Sequence, residues 1–235
     1  MQSPTPRWKV ATYWSHSFIP ELVRADGVAF DFGANYGGFS HAIASYCARV
    51  FAFEPDPSWR GRLDFPPNVT LFEKAVAAKR GTIRLYVNTT TCSSLHYADG
   101  RHNLADVDAI TLADALSLHP AGVIDLVKLD IEGEEVPVLE GAADELLQRI
   151  AQLTVEFHDF LDPASRPAIR RVIARMERLG FLVMKMSWHS YGDVLLLNRD
   201  LINVPFLRRL HLSYAHRYSA GLMRMAKRAF GAKAV

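Results

Sequence analysis

Val28-Ala29-Phe30-Asp31-Phe32-Gly33-Ala34-Asn35-Tyr36-Gly37-Gly38 and, one short helix later, Val50-Phe51-Ala52-Phe53-Glu54-Pro55-Asp56-Pro57 decide how this chain folds. Each is an apolar run of buried-strand type that stops at an acid. Glu54 follows Gly33 at about the ~20-residue spacing with which one βαβ unit grips a nucleoside. The glycines let the backbone turn sharply and approach a ligand with no Cβ in the way. The helix predicted to open near Phe39 aims its free N–H groups into the same crevice. Glu54 is then placed to accept hydrogen bonds from both hydroxyls of a ribose.

The turn also indicates which nucleoside. Gly33-Ala34-Asn35-Tyr36-Gly37 lacks the Gly-x-Gly-x-x-Gly spacing whose second glycine admits a pyrophosphate, and Asp31, just ahead of it, would repel one. An acid there suits a ligand that carries an ammonium and a sulfonium, as S-adenosylmethionine does and NAD does not. In this reading Asp31, Gly33, Asn35 and Gly37 line the methionine end of the cofactor, Glu54 takes the ribose, and Ala75 leaves room for the adenine.

The rest of the chain predicts an α/β architecture with helices on both faces of the sheet. Phe39, Ala42, Ile43, Tyr46, Cys47 and Val50 recur at helical spacing, and Val69 to Phe72 gives a third strand. Ile83, Leu85 and Val87 alternate with Arg84 and Tyr86 like a half-exposed strand, and Asn88 to Asn103 reads as a long loop over the site. Ile124 to Asp130 is the fourth core strand, Glu134 to Ile150 one helix, Leu153 to Phe157 the fifth strand, and Ile169 to Leu179 a helix stopped by Gly180. Phe181 to Ser187 and Asp193 to Asn198 are joined by so short a turn that they must form a hairpin, which makes the last strand antiparallel.

With 235 residues, 49% of them hydrophobic and 22% charged, the chain can bury a substantial core, and no apolar run of 18 residues predicts a membrane span. Cys47 and Cys92 make neither a zinc pattern nor a disulfide framework, and the first twenty residues hold prolines and aromatics instead of a signal-peptide core. The expectation is a cytoplasmic protein in three parts: an aromatic-rich extension over 1–27, the cofactor-binding core over 28–200, and a basic extension over 201–235.

Four blocks resemble the FkbM-type S-adenosylmethionine-dependent methyltransferases. They are Asp31-Phe32-Gly33-Ala34-Asn35-Tyr36-Gly37-Gly38-Phe39-Ser40, Phe51-Ala52-Phe53-Glu54-Pro55-Asp56-Pro57, Lys128-Leu129-Asp130-Ile131-Glu132-Gly133-Glu134-Glu135-Val136-Pro137-Val138-Leu139-Glu140-Gly141-Ala142 and Val155-Glu156-Phe157-His158. The resemblance implies the class I methyltransferase (Rossmann-like) fold, a seven-stranded sheet with its last strand antiparallel. It also implies O-methylation of hydroxyls on sugars, glycans or polyketide-like metabolites, and it narrows reaction type better than substrate.

In an open parallel sheet the ligand crevice lies outside the carboxyl ends of the strands, which places Asp130, Glu156 and His158 beside the methyl group. Strand alternation puts Glu156 and His158 on one side. His158 is a candidate general base, with Asp130 and Glu132 as further catalytic candidates on the acceptor. Alternatively Asp130, Glu156 and His158 hold a divalent metal that acidifies the acceptor hydroxyl, or His158 is a hydrogen-bonded structural histidine. Glu132 and Glu135 either touch the acceptor or act as dipole partners at a helix N-terminus. Lys128, two residues before Asp130 on a central strand, is expected in a buried ion pair, because an unpaired ammonium there would be costly.

From Leu201 to Val235 the chain carries seven Lys or Arg and no acid, which leaves 20 bases against 25 acids in the remainder. Leu222, Met225, Ala226, Ala229 and Phe230 share one helical face beside Arg224, Lys227 and Arg228. This pattern suits an anionic or membrane surface, a partner protein, a dimer mate or the chain's own domain. No motif for sequence-specific nucleic-acid recognition accompanies the charge. The expected function is O-methylation of a saccharide, glycan or specialised metabolite. RNA or protein methylation is the first alternative, and a cofactor-binding module with a docking tail, not an enzyme, is the second.

Overall fold

The computed structural model describes residues 8–59, 61–88 and 102–203. The basic segment beyond Val204, Cys92 and most of the loop expected over Asn88 to Asn103 therefore lie outside the described residues. The chain opens with a hairpin of β1 (Ala11–Tyr13) and β2 (His16–Phe18), then enters the sheet through β3 (Val28–Phe32), α1 (Gly38–Ala44) and β4 (Arg49–Phe53). After β5 (Val69–Phe72) come three strands outside that sheet, β6 (Ala75–Val76), β7 (Gly81–Asn88) and β8 (His102–Ile110). The second half runs α2 (Leu112–Leu116), β9 (Ile124–Leu129), α3 (Glu135–Gly141), α4 (Asp144–Leu147), β10 (Ile150–Val155), α5 (Arg166–Arg178), β11 (Phe181–Lys185) and β12 (Val194–Asn198).

Among these residues a seven-stranded sheet forms in the order β11-β12-β10-β9-β3-β4-β5. β3, β4, β5, β9 and β10 are parallel, and β12 inserts antiparallel between β10 and β11. This is the class I methyltransferase arrangement, α/β with an antiparallel final strand. Its strands β3, β9, β10 and β12 are buried along their whole length, as near-continuous apolar runs must be when both sheet faces are covered. Strand order reverses between β3 and β9, so a crevice opens at their carboxyl ends.

Several elements depart from the periodicity. The helix expected over Glu134 to Ile150 is two short helices, broken at Ala142 and Ala143, and Ile150 already belongs to β10. The break is stabilised from α5: the Arg175 guanidinium donates to the carbonyls of Leu139 (2.6 Å), Glu140 (3.3 Å) and Ala142 (2.5 Å) and also pairs with Asp144. Those carbonyls are the ones a helix end leaves unsatisfied. The helix after β3 stops at Ala44, with Val50 on β4. The half-exposed strand is β7, paired antiparallel with β8 from Gly81 opposite Ala109 to Asn88 opposite His102, in a small sheet with β6 that the sequence did not suggest. No helix among the described residues is long and apolar enough to cross a membrane.

The N-terminal hairpin packs on the large sheet. Ser17 donates its N–H and hydroxyl to Asp193 (3.2 and 2.7 Å), and Ile19 exchanges hydrogen bonds with the Gln152 side chain (2.9 and 3.1 Å). All four groups are buried, so these bonds satisfy polar atoms that water cannot reach. They tie β2 and the residue after it to the large sheet.

Candidate active site

A cavity of about 990 Å³ lies over the carboxyl ends of the central strands. One side of it is built by the turn after β3. Gly33 has φ +79°, and a Cβ there would sit 1.7 Å from the Asp130 carbonyl oxygen, so only glycine lets the two strand ends pass this closely. The Gly33 and Ala34 N–H groups both donate to the Phe53 carbonyl (3.0 and 2.9 Å), tying the turn to the end of β4. Glu54 follows directly. One of its oxygens accepts from the Asn35 N–H at 2.6 Å and the other from the Asp56 N–H at 2.8 Å. Burial pushes the Glu54 carboxyl up to about 7, against the pull of those two N–H bonds. A carboxylate offers about four acceptor positions, so two backbone bonds leave capacity for two ribose hydroxyls. Ala75 and Val76 line the same cavity from β6.

Asp31 and Gly37, expected at the methionine end, are not among the residues that line the cavity. Asp31 is 0% exposed. It accepts from the Ser40 hydroxyl at 2.6 Å and pairs with Lys128 Nζ at 3.2 Å, its register partner across β3 and β9. Lys128 also donates to the Gly33 carbonyl at 2.7 Å and lies 3.4 Å from Asp130. The expected buried ion pair is therefore present, and it braces the Gly33 turn. Gly37 is buried with φ +85°, and a Cβ there would strike the Phe65 ring.

The opposite end of the cavity gathers Asp130, Glu132, Glu156 and His158 with two residues from the N-terminal hairpin, Ser15 and His16. Asp130 follows β9 and Glu156 follows β10, where the Glu156 N–H donates to the Leu129 carbonyl at 3.1 Å. His16 Nε2 lies 3.1 Å from Asp130 Oδ2 and 3.7 Å from Glu156 Oε2, and the Ser15 hydroxyl donates to that same Glu156 oxygen. Burial would raise the Asp130 carboxyl, but the Lys128 charge and the His16 hydrogen bond outweigh it and hold Asp130 well below the usual carboxylate range. Burial lowers the His16 imidazole, with Lys128 acting the same way. Glu156 goes the other way: burial, and then the Asp130 charge, push its carboxyl up to about 7.

His158, expected as a general base, is enclosed by carboxylates. Its Nε2 lies 3.3 Å from Glu132 Oε2 and 3.7 Å from Asp130 Oδ1, and its Nδ1 lies 3.2 Å from Glu135 Oε1. Burial pulls the imidazole down, yet Glu132 and Glu135 together outweigh it and hold its pKa at about 11. An imidazolium has no lone pair with which to take a proton. Glu135 is 2% exposed and folds back onto the Ile131 and Gly133 N–H groups (2.8 and 3.1 Å), so it braces the loop and does not meet an acceptor.

The metal set Asp130, Glu156 and His158 is also redistributed. Among the described residues two groups could hold an ion, His16 with Asp130 and Glu156, and Asp130 with Glu132 and His158. Glu156 and His158 stand past the end of β10, where strand alternation no longer governs side-chain direction, and Asp130 lies between them. Ser15 and His16 were not anticipated. Their hairpin turn, Trp14-Ser15, lacks the Gly or Asn that announces such turns in a sequence.

One backbone feature marks the cavity independently. Among the described residues the non-glycine residues with positive φ are Trp14 (+53°), Asn35 (+49°) and Glu132 (+56°), and all three line it. Strained conformations cluster where surrounding structure holds them for a purpose.

Residues 31–183 match the methyltransferase FkbM domain. The chain is 30% identical to hexuronic acid methyltransferase AglP of Haloferax volcanii, over 61% of each chain. It is 31% identical to AMB antimetabolite synthetase AmbE of Pseudomonas aeruginosa, over 71% of this chain and 10% of AmbE. It thus spans less than two thirds of both relatives. Among solved structures it is similar to a methyltransferase FkbM from Methylobacillus flagellatus KT, with 16% identity, TM-score 0.44, and 74% of this chain and 44% of that one covered. It is also similar to an rRNA methylase from Streptococcus thermophilus, with 11% identity, TM-score 0.45, and 76% and 90% covered. Likenesses this loose carry no argument. The match to the domain itself extends over most of the chain and takes in the turn, Glu54, Asp130 and Glu156, and on it this chain belongs to the methyltransferase FkbM domain family.

Proposed function

We propose that the chain transfers a methyl group from S-adenosylmethionine to a hydroxyl of a saccharide, with Glu156 as proton acceptor. The observation that carries this reading is one cavity with carboxylates at both ends. Glu54 is fixed by backbone N–H groups at the nucleoside end, and Glu156 stands at the other end with its pKa near neutrality. The methyltransferase family implies S-adenosylmethionine, and the acceptor capacity of Glu54 beside the Gly33 turn fits its ribose. When bound, this cofactor supplies a methyl group on a sulfonium, an electrophile that the protein need not activate.

The protein's own contribution is then to place a hydroxyl and remove its proton. Glu156, steadied by Ser15, would take the hydroxyl proton as the oxygen–carbon bond forms and the methyl's bond to sulfur breaks, the sulfur keeping the electron pair as a neutral thioether; a base with a pKa near the working pH is best matched to that task. Asp130 stays ionised and accepts a hydrogen bond from a neighbouring hydroxyl, which orients the acceptor. His158 stays protonated and holds Glu132 in the wall. Positioning of this kind supplies several kcal/mol of a barrier. The saccharide class is supported by the name of AglP and by the convergence of carboxylates suited to a polyhydroxylated ring.

The test is methyl transfer from labelled S-adenosylmethionine to a panel of hexose and hexuronate glycosides, with RNA and polypeptide as controls and the methylated atom located by NMR. Transfer to RNA or polypeptide but to no sugar would refute the reading, and no transfer to anything would favour a binding module. A second reading, metal assistance, is favoured by the grouping of His16, Asp130 and Glu156. Loss of activity to a chelator, restored by a divalent ion, would establish it.

A further inference from the structure

Trp14 stands where a tryptophan is least expected. It is the first of two residues that join β1 to β2, with Tyr13 paired to His16 across the turn. Its φ of +53° lies in the left-handed region, where turns this tight favour glycine or asparagine and a bulky side chain is an outlier. Packing does not offset the strain, because Trp14 is 76% exposed. It lines the cavity with Tyr36, whose ring meets the indole edge-on with centroids 6.2 Å apart. The residues that follow it reach the proton-accepting end: Ser15 donates to Glu156, and His16 meets Asp130. One short hairpin therefore steadies the proposed base and places an exposed indole in the lining of the same cavity.

We propose that Trp14, with Tyr36 beside it, is a stacking platform for the saccharide ring that carries the methylated hydroxyl; this rests on the saccharide reading above. A pyranose presents two kinds of surface. Its C–H face is apolar and packs on the electron-rich face of an aromatic ring, and the hydroxyls around its rim seek acceptors. The cavity lining supplies both, the exposed indole of Trp14 and the carboxylates of Asp130, Glu132 and Glu156. Phe160, half exposed, lines the same end. Trp14 thus selects for ring-shaped acceptors and sets how far a hydroxyl reaches toward Glu156.

The closing experiment compares the wild type with Trp14→Gly and Trp14→Tyr, each saturated with S-adenosylhomocysteine. The probes are the methyl glycosides of glucose, galactose, mannose and glucuronic acid, followed by saturation-transfer NMR and titration. Wild type is expected to bind at least one probe. Trp14→Gly should weaken that binding roughly tenfold, the worth of about 50 Å² of apolar surface returned to water, and Trp14→Tyr should recover most of it. Trp14→Gly should also melt no lower than wild type, because glycine suits the turn, and should keep its affinity for S-adenosylhomocysteine. Unchanged glycoside binding in Trp14→Gly would overturn the platform and leave the saccharide reading standing. Failure of the wild type to bind any glycoside would overturn that reading and the platform with it.

Discussion

Replacing Glu156 by glutamine separates catalysis from stability at a single residue. The change keeps side-chain shape and the Ser15 hydroxyl as partner but removes the charge. In the folded protein the Glu156 carboxyl is pushed from 4.5 to about 7, first by burial and then by Asp130. Such a gap corresponds to about 3 kcal/mol at most, held against the fold when the carboxyl is ionised. The sign follows from the direction of the shift. With the folded value above the unfolded one, ionisation destabilises the native state progressively from pH 4.5 to about 7 and fully above it. Glu156→Gln should therefore raise the melting temperature at pH 8, by roughly 5–10 °C if the whole effect is released, and leave it unchanged at pH 4.5. Turnover should fall by about 10² to 10⁴, with calorimetric affinity for S-adenosylhomocysteine unaltered. Wild-type kcat/KM should decline below about pH 7, as the base becomes protonated. Thermal melts at the two pH values, with initial rates across the range, decide the matter. A variant that turns over within tenfold of wild type removes Glu156 as the base, and one that melts lower at pH 8 refutes the electrostatic account.

Glu54→Ala should weaken S-adenosylhomocysteine binding by about 1 to 3 kcal/mol, the range for lost hydrogen bonds to a charged group; unchanged affinity in calorimetry, or tight NAD binding by the wild type, would count against the nucleoside site. Lys128→Met strands the fully buried Asp31 and should cost about 3 to 5 kcal/mol in urea melts. Adding Asp31→Asn should restore much of that, and a double variant no more stable than the single one would show that the pair is not what Lys128 stabilises. His158→Gln should leave the midpoint of the activity profile near 7, since the histidine is not the titrating base; a displaced midpoint would return proton transfer to it. Because His158 is raised from 6.5 to about 11 in the fold, its stabilisation is complete below about 6.5 and is lost as pH climbs toward 11. Melts of His158→Gln should differ most from wild type at the acid end of that window.

Local pattern was enough for the frame of this protein. The apolar runs of β3, β4, β9 and β10 report burial on both sheet faces, and the Gly33 to Glu54 spacing reports one βαβ unit. The brief turn before Val194 forces the antiparallel end of the sheet. Lys128 was legible too, because an ammonium on a central strand requires a counter-charge, and Asp31 is its neighbour in register. Other features depend on partners far along the chain. Arg175 reaches back to break the helix after Glu135, β8 supplies the neighbour of β7, and His16 meets Asp130 across 114 positions. The roles of the acids and histidines were the least accessible of all. Sequence placed Asp130, Glu156 and His158 at the strand ends, beside the methyl group. Only the fold set Glu132 and Glu135 around His158, which raises its pKa, and buried Glu156 beside Asp130, which raises its carboxyl. The physical reason is that strand and turn preferences act through neighbouring residues, whereas a proton's affinity is set by burial and charge through space, and these exist only once the chain has closed on itself.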